Sequence, residues 1–114
     1  MSSIVVGQNV IGRITHGLIG LDIFSREKKE NQYLRDFLSL KSEEINEALT
    51  AASSGRLVPN GRRVSLQESF EIINKILKAQ DVIRRINEAN QKEIDTTMDN
   101  LKKATRMFYS VYRM

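Results

Sequence analysis

The chain has 114 residues, of which 40% are hydrophobic and 28% charged, so it can build one modest core and is too hydrophobic for wholesale disorder. Cysteine and tryptophan are absent, which excludes disulfides, thiolate metal sites and cysteine nucleophiles and argues against a bulky aromatic ligand cage. The net charge of +4 is local, because residues 55–64 and 102–114 contain basic residues and no acid.

Residues 1–24 are an apolar segment interrupted by glycines. Its β-branched residues favour strands, whereas Val10, Ile14, Leu18 and Leu21 recur at helical spacing, so both alternatives stay open. We expect this arm to be mobile or ordered only by a partner. It is long enough to cross a bilayer, but a central Arg13 would cost about 3 kcal/mol there. No transmembrane span is therefore expected, and peripheral membrane contact by residues 4–24 stays open.

Residues 25–114 are predicted to form one helical domain. Its first helix spans about residues 30–54, because apolar residues recur at steps of three and four and Gly55 supplies a C-terminal stop. A break near residues 39–42 is an alternative, since Ser42 precedes two glutamates and would make a good N-cap.

Residues 55–64 are predicted to form a turn, because Pro59 suits its first central position and the following Asn-Gly pair suits positive φ. A small β-hairpin and an irregular loop are both open alternatives here. The basic side chains of this turn could bind phosphate groups. They are Arg56, Arg62 and Arg63.

One long helix is predicted from about residue 65 to 112, because Ser65 and Glu68 have capping-box spacing and no Gly or Pro follows. Such a helix needs a partner along its length. Its apolar stripe, with one extra step of four near Asn90, is typical of a coiled-coil seam, and the expected fold is mainly α, a helical hairpin with a long second arm. Predicted interface residues are Ile76, Ile83, Ile86, Asn90, Ile94, Leu101, Phe108 and Val111.

Asn90 is singled out within that stripe because one buried Asn can fix the register and number of chains in a coiled coil. The alternative is that Asn90 faces water where the stripe is offset. A second stripe on the first turns of the long helix could dock the shorter helix. It consists of Leu66, Phe70, Ile73 and Leu77.

Motifs for catalysis or cofactor binding are weak. The glycine spacing of Gly7 and Gly12 suits a phosphate loop, but Arg13-Ile14 stands where Lys and Ser or Thr should be. His16 is the only histidine and has no ligand partners at helical spacing, so we expect it to be a surface or partly buried polar residue. No cofactor and no metal are expected.

The run from Ser42 to Ala79 combines an acidic helix, Gly55, a turn ending in Gly-Arg-Arg-Val, and a capped helix. This arrangement resembles the helix, hairpin, helix plan of the small head-completion proteins of tailed phages. The resemblance covers about a third of the chain and implies a structural role in a particle.

These patterns favour a non-enzymatic helical subunit that binds itself and another protein in a larger assembly, such as a phage particle, a secretion machine or a chaperone–client pair. The alternative is a small dimeric nucleic-acid-binding regulator that uses the basic turn. No secretory signal pattern opens the chain, so we expect it to be cytoplasmic at synthesis, with its final location open.

Overall fold

The computed structural model describes residues 3–53 and 65–111, with the side chains of residues 9–50 and 65–110. Within these ranges the regular structure is all α-helix, with short connections and no strand, which confirms the mainly α prediction. The predicted β-hairpin falls in residues 55–64 and lies outside the described residues. The helices are α1 (Ser3–Glu27), α2 (Gln32–Leu38), α3 (Ser42–Ser53), α4 (Leu66–Arg84) and α5 (Gln91–Val111).

The N-terminal segment, expected to be mobile or ordered by a partner, is a helix of 25 residues that packs in the core of its own chain. Apolar positions at steps of three and four lie on one face of α1 and are fully or almost fully buried, among them Val10, Ile14, Leu21 and Phe24. This face contacts α2, α3 and α5, so α1 lies at the centre of the bundle. Burial of the apolar face outweighs the low helix propensity of the glycines.

Two of those glycines lie where α1 touches its neighbours. A Cβ on Gly17 would stand 2.9 Å from the ring of Phe37, and a Cβ on Gly20 would stand 2.8 Å from the backbone nitrogen of Leu34. Asn31 stabilises the same contact through both ends of its side-chain amide. The oxygen accepts from the Leu34 amide at the start of α2, and the nitrogen donates to the Gly20 carbonyl at 3.0 Å. The absence of a Cβ therefore allows α2 to approach α1 closely.

The predicted helix over residues 30–54 is two helices, and the alternative break near residues 39–42 is confirmed. Gln80 of α4 is buried beside this break, and its amide nitrogen donates to the carbonyls of Phe37 and Leu40 at 3.2 and 2.7 Å. The Gln80 amide thus donates to the Leu40 carbonyl at the bend between α2 and α3, and it is a second donor to the Phe37 carbonyl, which also accepts from the Leu40 amide at 3.1 Å. A single side chain thus joins α4 to the α2–α3 corner.

The predicted long helix over residues 65–112 is wrong, because it is interrupted at residues 85–90. Its start is confirmed: Ser65 is the N-cap of α4 and its hydroxyl accepts from the Glu68 amide at 3.1 Å. Asn90 starts α5 in the same way, accepting from the Glu93 amide at 2.9 Å. The interruption lets α5 contact both α4 and α1, so the stripe of the predicted seam is buried within one chain.

Candidate docking surface

The predicted interface residues lie mostly in the core of the single chain. Their side chains are at most 5% exposed, which leaves them no area for contact with a second chain. We therefore correct their assignment from an intermolecular seam to the intramolecular core formed by α4, α5 and α1. This group comprises Ile76, Ile83, Ile86, Ile94, Leu101 and Phe108.

Asn90 is exposed and is not part of the apolar core of the chain. Its side chain accepts from the Glu93 amide and donates to the Glu93 carboxylate at 3.3 Å, so it caps the start of α5. The side chain of Val111 lies outside the described residues. The predicted phosphate-binding residues Arg56, Arg62 and Arg63 also lie outside them.

His16 lies at the surface of α1, as expected, and is paired with one carboxylate. Its Nδ1 atom is 2.9 Å from Asp36 Oδ2, and Tyr33 packs edge-on against its ring. The neighbouring hydroxyls are committed elsewhere, because those of Thr15 and Ser39 donate to backbone carbonyls at 2.9 and 2.7 Å. Within the described ranges, no group of three or more His, Cys, Asp or Glu residues could hold a metal ion.

The outstanding surface feature is a second apolar stripe on α4, which we call the α4 apolar face and define as Leu66, Phe70, Ile73 and Leu77. Leu66 is 67% exposed, Phe70 56% and Leu77 38%, while Ile73 is half-buried against the core. Their spacing of four, three and four residues places all four on one side of the helix. Because an α-helix rises 1.5 Å per residue, the face is about 16 Å long.

This face is separate from the side of α4 that builds the core. The core side carries Ile72, Ile76 and Ala79, all buried, so the helix is apolar in two directions. The residues on the solvent flank of the face, Gln67 and Asn74, are exposed and uncharged. Single exposed apolar residues are ordinary, whereas a contiguous apolar patch with a polar rim is typical of an interaction surface.

Comparison of the chain with protein-family models, curated proteins and solved structures found no match. The functional assignment therefore rests on the surface of the molecule. Among the described helices, none has the length and apolarity needed to cross a membrane.

Charged residues form ion pairs at the corner between α4 and α5. Arg85 donates to Glu93 at 2.8 Å and lies 3.5 Å from Asp81. The hydrogen bond that Arg85 donates to Glu93, followed by the negative charges of Glu93 and Asp81, raises the pKa of Arg85 above its ordinary value. On α5, the Lys103 ammonium 3.0 Å away lowers the pKa of the Asp99 carboxyl. All of these ion pairs join residues outside the α4 apolar face.

Sequence reasoning identified the α4 stripe but assigned it to packing against the shorter helix. α3 does contact α4, yet that contact leaves Leu66 and Phe70 more than half exposed. The two stripes differ in the residue that continues them two turns further along α4. The buried stripe continues with Ile83, whereas the exposed stripe continues from Leu77 to Arg84. A face that ends in a cation faces water or a partner, not the core.

Proposed function

We propose that the chain is a non-enzymatic helical subunit that associates with further copies of itself, and with another protein in a larger assembly, through the α4 apolar face. The observation that supports this is the exposure of Leu66, Phe70 and Leu77 on one stripe. Anchors at i, i+4, i+7 and i+11 have the spacing by which helices bind in grooves and against one another.

A second copy fits the face because its spacing reads the same in both directions. In an antiparallel pair, Leu66 of one copy meets Leu77 of the other and Phe70 meets Ile73, about a single twofold axis. The flanking Gln67 and Asn74 bring no like charges together. Self-complementarity of this kind is what a symmetric dimer requires.

The size of the face predicts a weak dimer. A dimer would bury six partly exposed side chains, Leu66, Phe70 and Leu77 of each copy. Their burial contributes roughly 6–9 kcal/mol in total. Association costs about 4 kcal/mol or more in lost translational and rotational freedom. The net gain of about 2–5 kcal/mol corresponds to a dissociation constant between roughly 0.2 and 30 mM, so mass should rise with concentration unless further contacts in an assembly add to it.

Sedimentation equilibrium up to millimolar protein tests the proposal. We expect a mass that rises toward twice the 13.1 kDa of one chain, with little dependence on salt because the contact is apolar. Phe70→Ser should weaken association about thirtyfold or more, since each dimer loses two phenyl contacts. Ile19→Ser, on α1 and 40% exposed, is the matched control and should change nothing.

Two results would contradict this function. A chain that stays monomeric at every concentration would remove the second copy as the occupant. A lower melting temperature for Phe70→Ser with unchanged association would mean that the face stabilises the chain's own fold.

The second candidate is nucleic-acid binding by Arg56, Arg62 and Arg63. Its support is the sequence, which places these three arginines together with no acid in residues 55–64. Binding of this kind should weaken steeply with added salt. Triple replacement of the arginines by Gln should abolish retention of duplex DNA or RNA, and unchanged retention would refute the candidate.

A further inference from the structure

A cleft of about 270 Å³ lies between α4 and α5, beside the connection that joins them. We call it the elbow cleft and define it by Lys78, Ala79, Val82, Lys92, Thr97 and Asn100. Ala79 and Thr97 are buried, Val82 is half-buried, and the surface of the cleft is mainly apolar. No residue of the α4 apolar face lines it, and it is therefore independent of the surface proposed for association.

The charges around the elbow cleft are unbalanced. Among the described residues, Glu93 is the only carboxylate that lines it, and that group is already paired with Arg85 at 2.8 Å. The ammonium groups of Lys78 and Lys92 form no ion pair with the described part of the chain. A low-dielectric floor beneath unpaired cations attracts an anion.

The polar end of the cleft can be located. Lys78 and Asn100 also line a second, adjoining cleft, and that cleft adds Lys75, Asn74 and one carboxylate, Glu71. The Asn100 amide, like the Lys78 ammonium, makes no hydrogen bond with another described side chain. Donors therefore gather at one end of an apolar depression, which is the arrangement of a site for an amphipathic ligand.

We propose that the elbow cleft binds a small amphipathic carboxylate, such as a medium-chain fatty acid. The hydrocarbon chain lies on Ala79, Val82 and Thr97, and the carboxylate accepts from Lys78 and Asn100. Lys92 on the opposite wall adds positive potential. The cleft volume of about 270 Å³ lies just below the roughly 300–1,000 Å³ of pockets for drug-sized ligands, which suits a smaller ligand of this kind.

The test is a titration of the full-length ¹⁵N-labelled protein with octanoate, followed by amide chemical shifts. Shift changes should be confined to residues 78–100, with a dissociation constant on the order of 1 mM for a ligand of about ten non-hydrogen atoms. Lys78→Gln should weaken binding about tenfold, because it removes a charge-assisted hydrogen bond. Lys102→Gln changes the same charge on an exposed part of α5 and should leave binding unchanged.

Two further measurements separate the charge from the apolar floor. 1-Octanol has the same chain without the carboxylate and should bind about tenfold more weakly than octanoate. Val82→Ser should weaken both ligands alike, because it removes apolar contact without changing charge.

Three results would overturn the proposal. They are shift changes spread over the whole surface, octanol binding as tight as octanoate, and equal loss of affinity in Lys78→Gln and Lys102→Gln. The dimer prediction is unaffected by any of them, since the two surfaces share no residue.

Discussion

Alanine substitution at two glycines of α1 tests whether that helix is part of the core. Gly12 and Gly20 lie in the same helix, and a Cβ on Gly12 would meet no atom within 4 Å. A Cβ on Gly20 would stand 2.8 Å from the Leu34 backbone nitrogen and 2.7 Å from a Leu34 methyl. Backbone atoms cannot move aside without shifting α2, so the second site is much more constrained than the first.

Both substitutions gain the same helix propensity, about 0.5–1 kcal/mol for Gly→Ala in a helix interior. Gly12→Ala should therefore increase the free energy of unfolding by about that amount. Gly20→Ala also incurs the cost of overpacking, about 1–3 kcal/mol. The difference between the two variants, about 1–3 kcal/mol, isolates the close approach of α2 to α1.

Urea unfolding followed by circular dichroism measures this difference, with the slope of the transition checked for constancy. In thermal unfolding, each kcal/mol should shift the midpoint by about 4–8 °C for a domain of this size. Equal stability of Gly12→Ala and Gly20→Ala would refute the reasoning. It would mean that α1 does not pack against α2 at Gly20, and that the segment behaves as the flexible arm expected from its glycine content.

Three further predictions concern the capping and electrostatic contacts. Gln80→Leu should lower the free energy of unfolding by about 1–3 kcal/mol, because it removes the donor to two carbonyls at the end of α2; unchanged stability in urea would contradict that role. Asn90→Ala should cost about 1 kcal/mol by removing the N-cap of α5, whereas a stabilised protein would support an interface role for Asn90 instead. The pKa of Asp99, below its usual 3.8, should rise toward that value in Lys103→Gln when followed by NMR titration. Because folding lowers this pKa, the ion pair stabilises the protein above the usual pKa, and the stabilisation is lost as pH falls through the folded pKa. An identical Asp99 titration in Lys103→Gln would contradict the pairing.

Local signals predicted the helix starts well. Ser65 with Glu68 marked the start of α4 at the correct residue. Asn90 and Glu93 have the same three-residue spacing, and it could have marked the start of α5. That spacing was hidden because the apolar stripe continues across residues 85–90 with only one extra step, which also fits an unbroken helix with a stutter.

The core stripe itself was identified correctly, but the partner it packs against was not. Ile76, Ile94 and Leu101 are apolar at helical spacing whether they pack on another chain or on their own N-terminus. Deciding between the two requires knowing that α1 is a helix. The glycines of α1 concealed this, because Gly17 and Gly20 weaken a helix locally while permitting the tertiary contacts that stabilise it.

The surface proposed for association was only partly predictable from the sequence. Periodicity revealed the stripe that contains Phe70 and Leu77, but exposure depends on where α3 and α5 lie around α4. The elbow cleft could not be predicted at all from the sequence. It exists because the chain turns at residues 85–90 and brings Lys78 alongside Asn100, which are 22 positions apart in the sequence.

The central claim, antiparallel pairing of two copies through the α4 apolar face, is tested most directly by an inter-chain distance. The chain has no cysteine, so Asp81→Cys gives a single nitroxide site, exposed and beyond the end of the face. Antiparallel pairing centred between Phe70 and Ile73 puts the two labelled positions about 30 Å apart, from 1.5 Å per residue and helix axes 8–10 Å apart. Electron–electron double resonance at millimolar protein should give that distance, and Phe70→Ser should abolish it. A distance of roughly 10–15 Å, expected for parallel pairing, or no inter-chain distance at all would contradict the account.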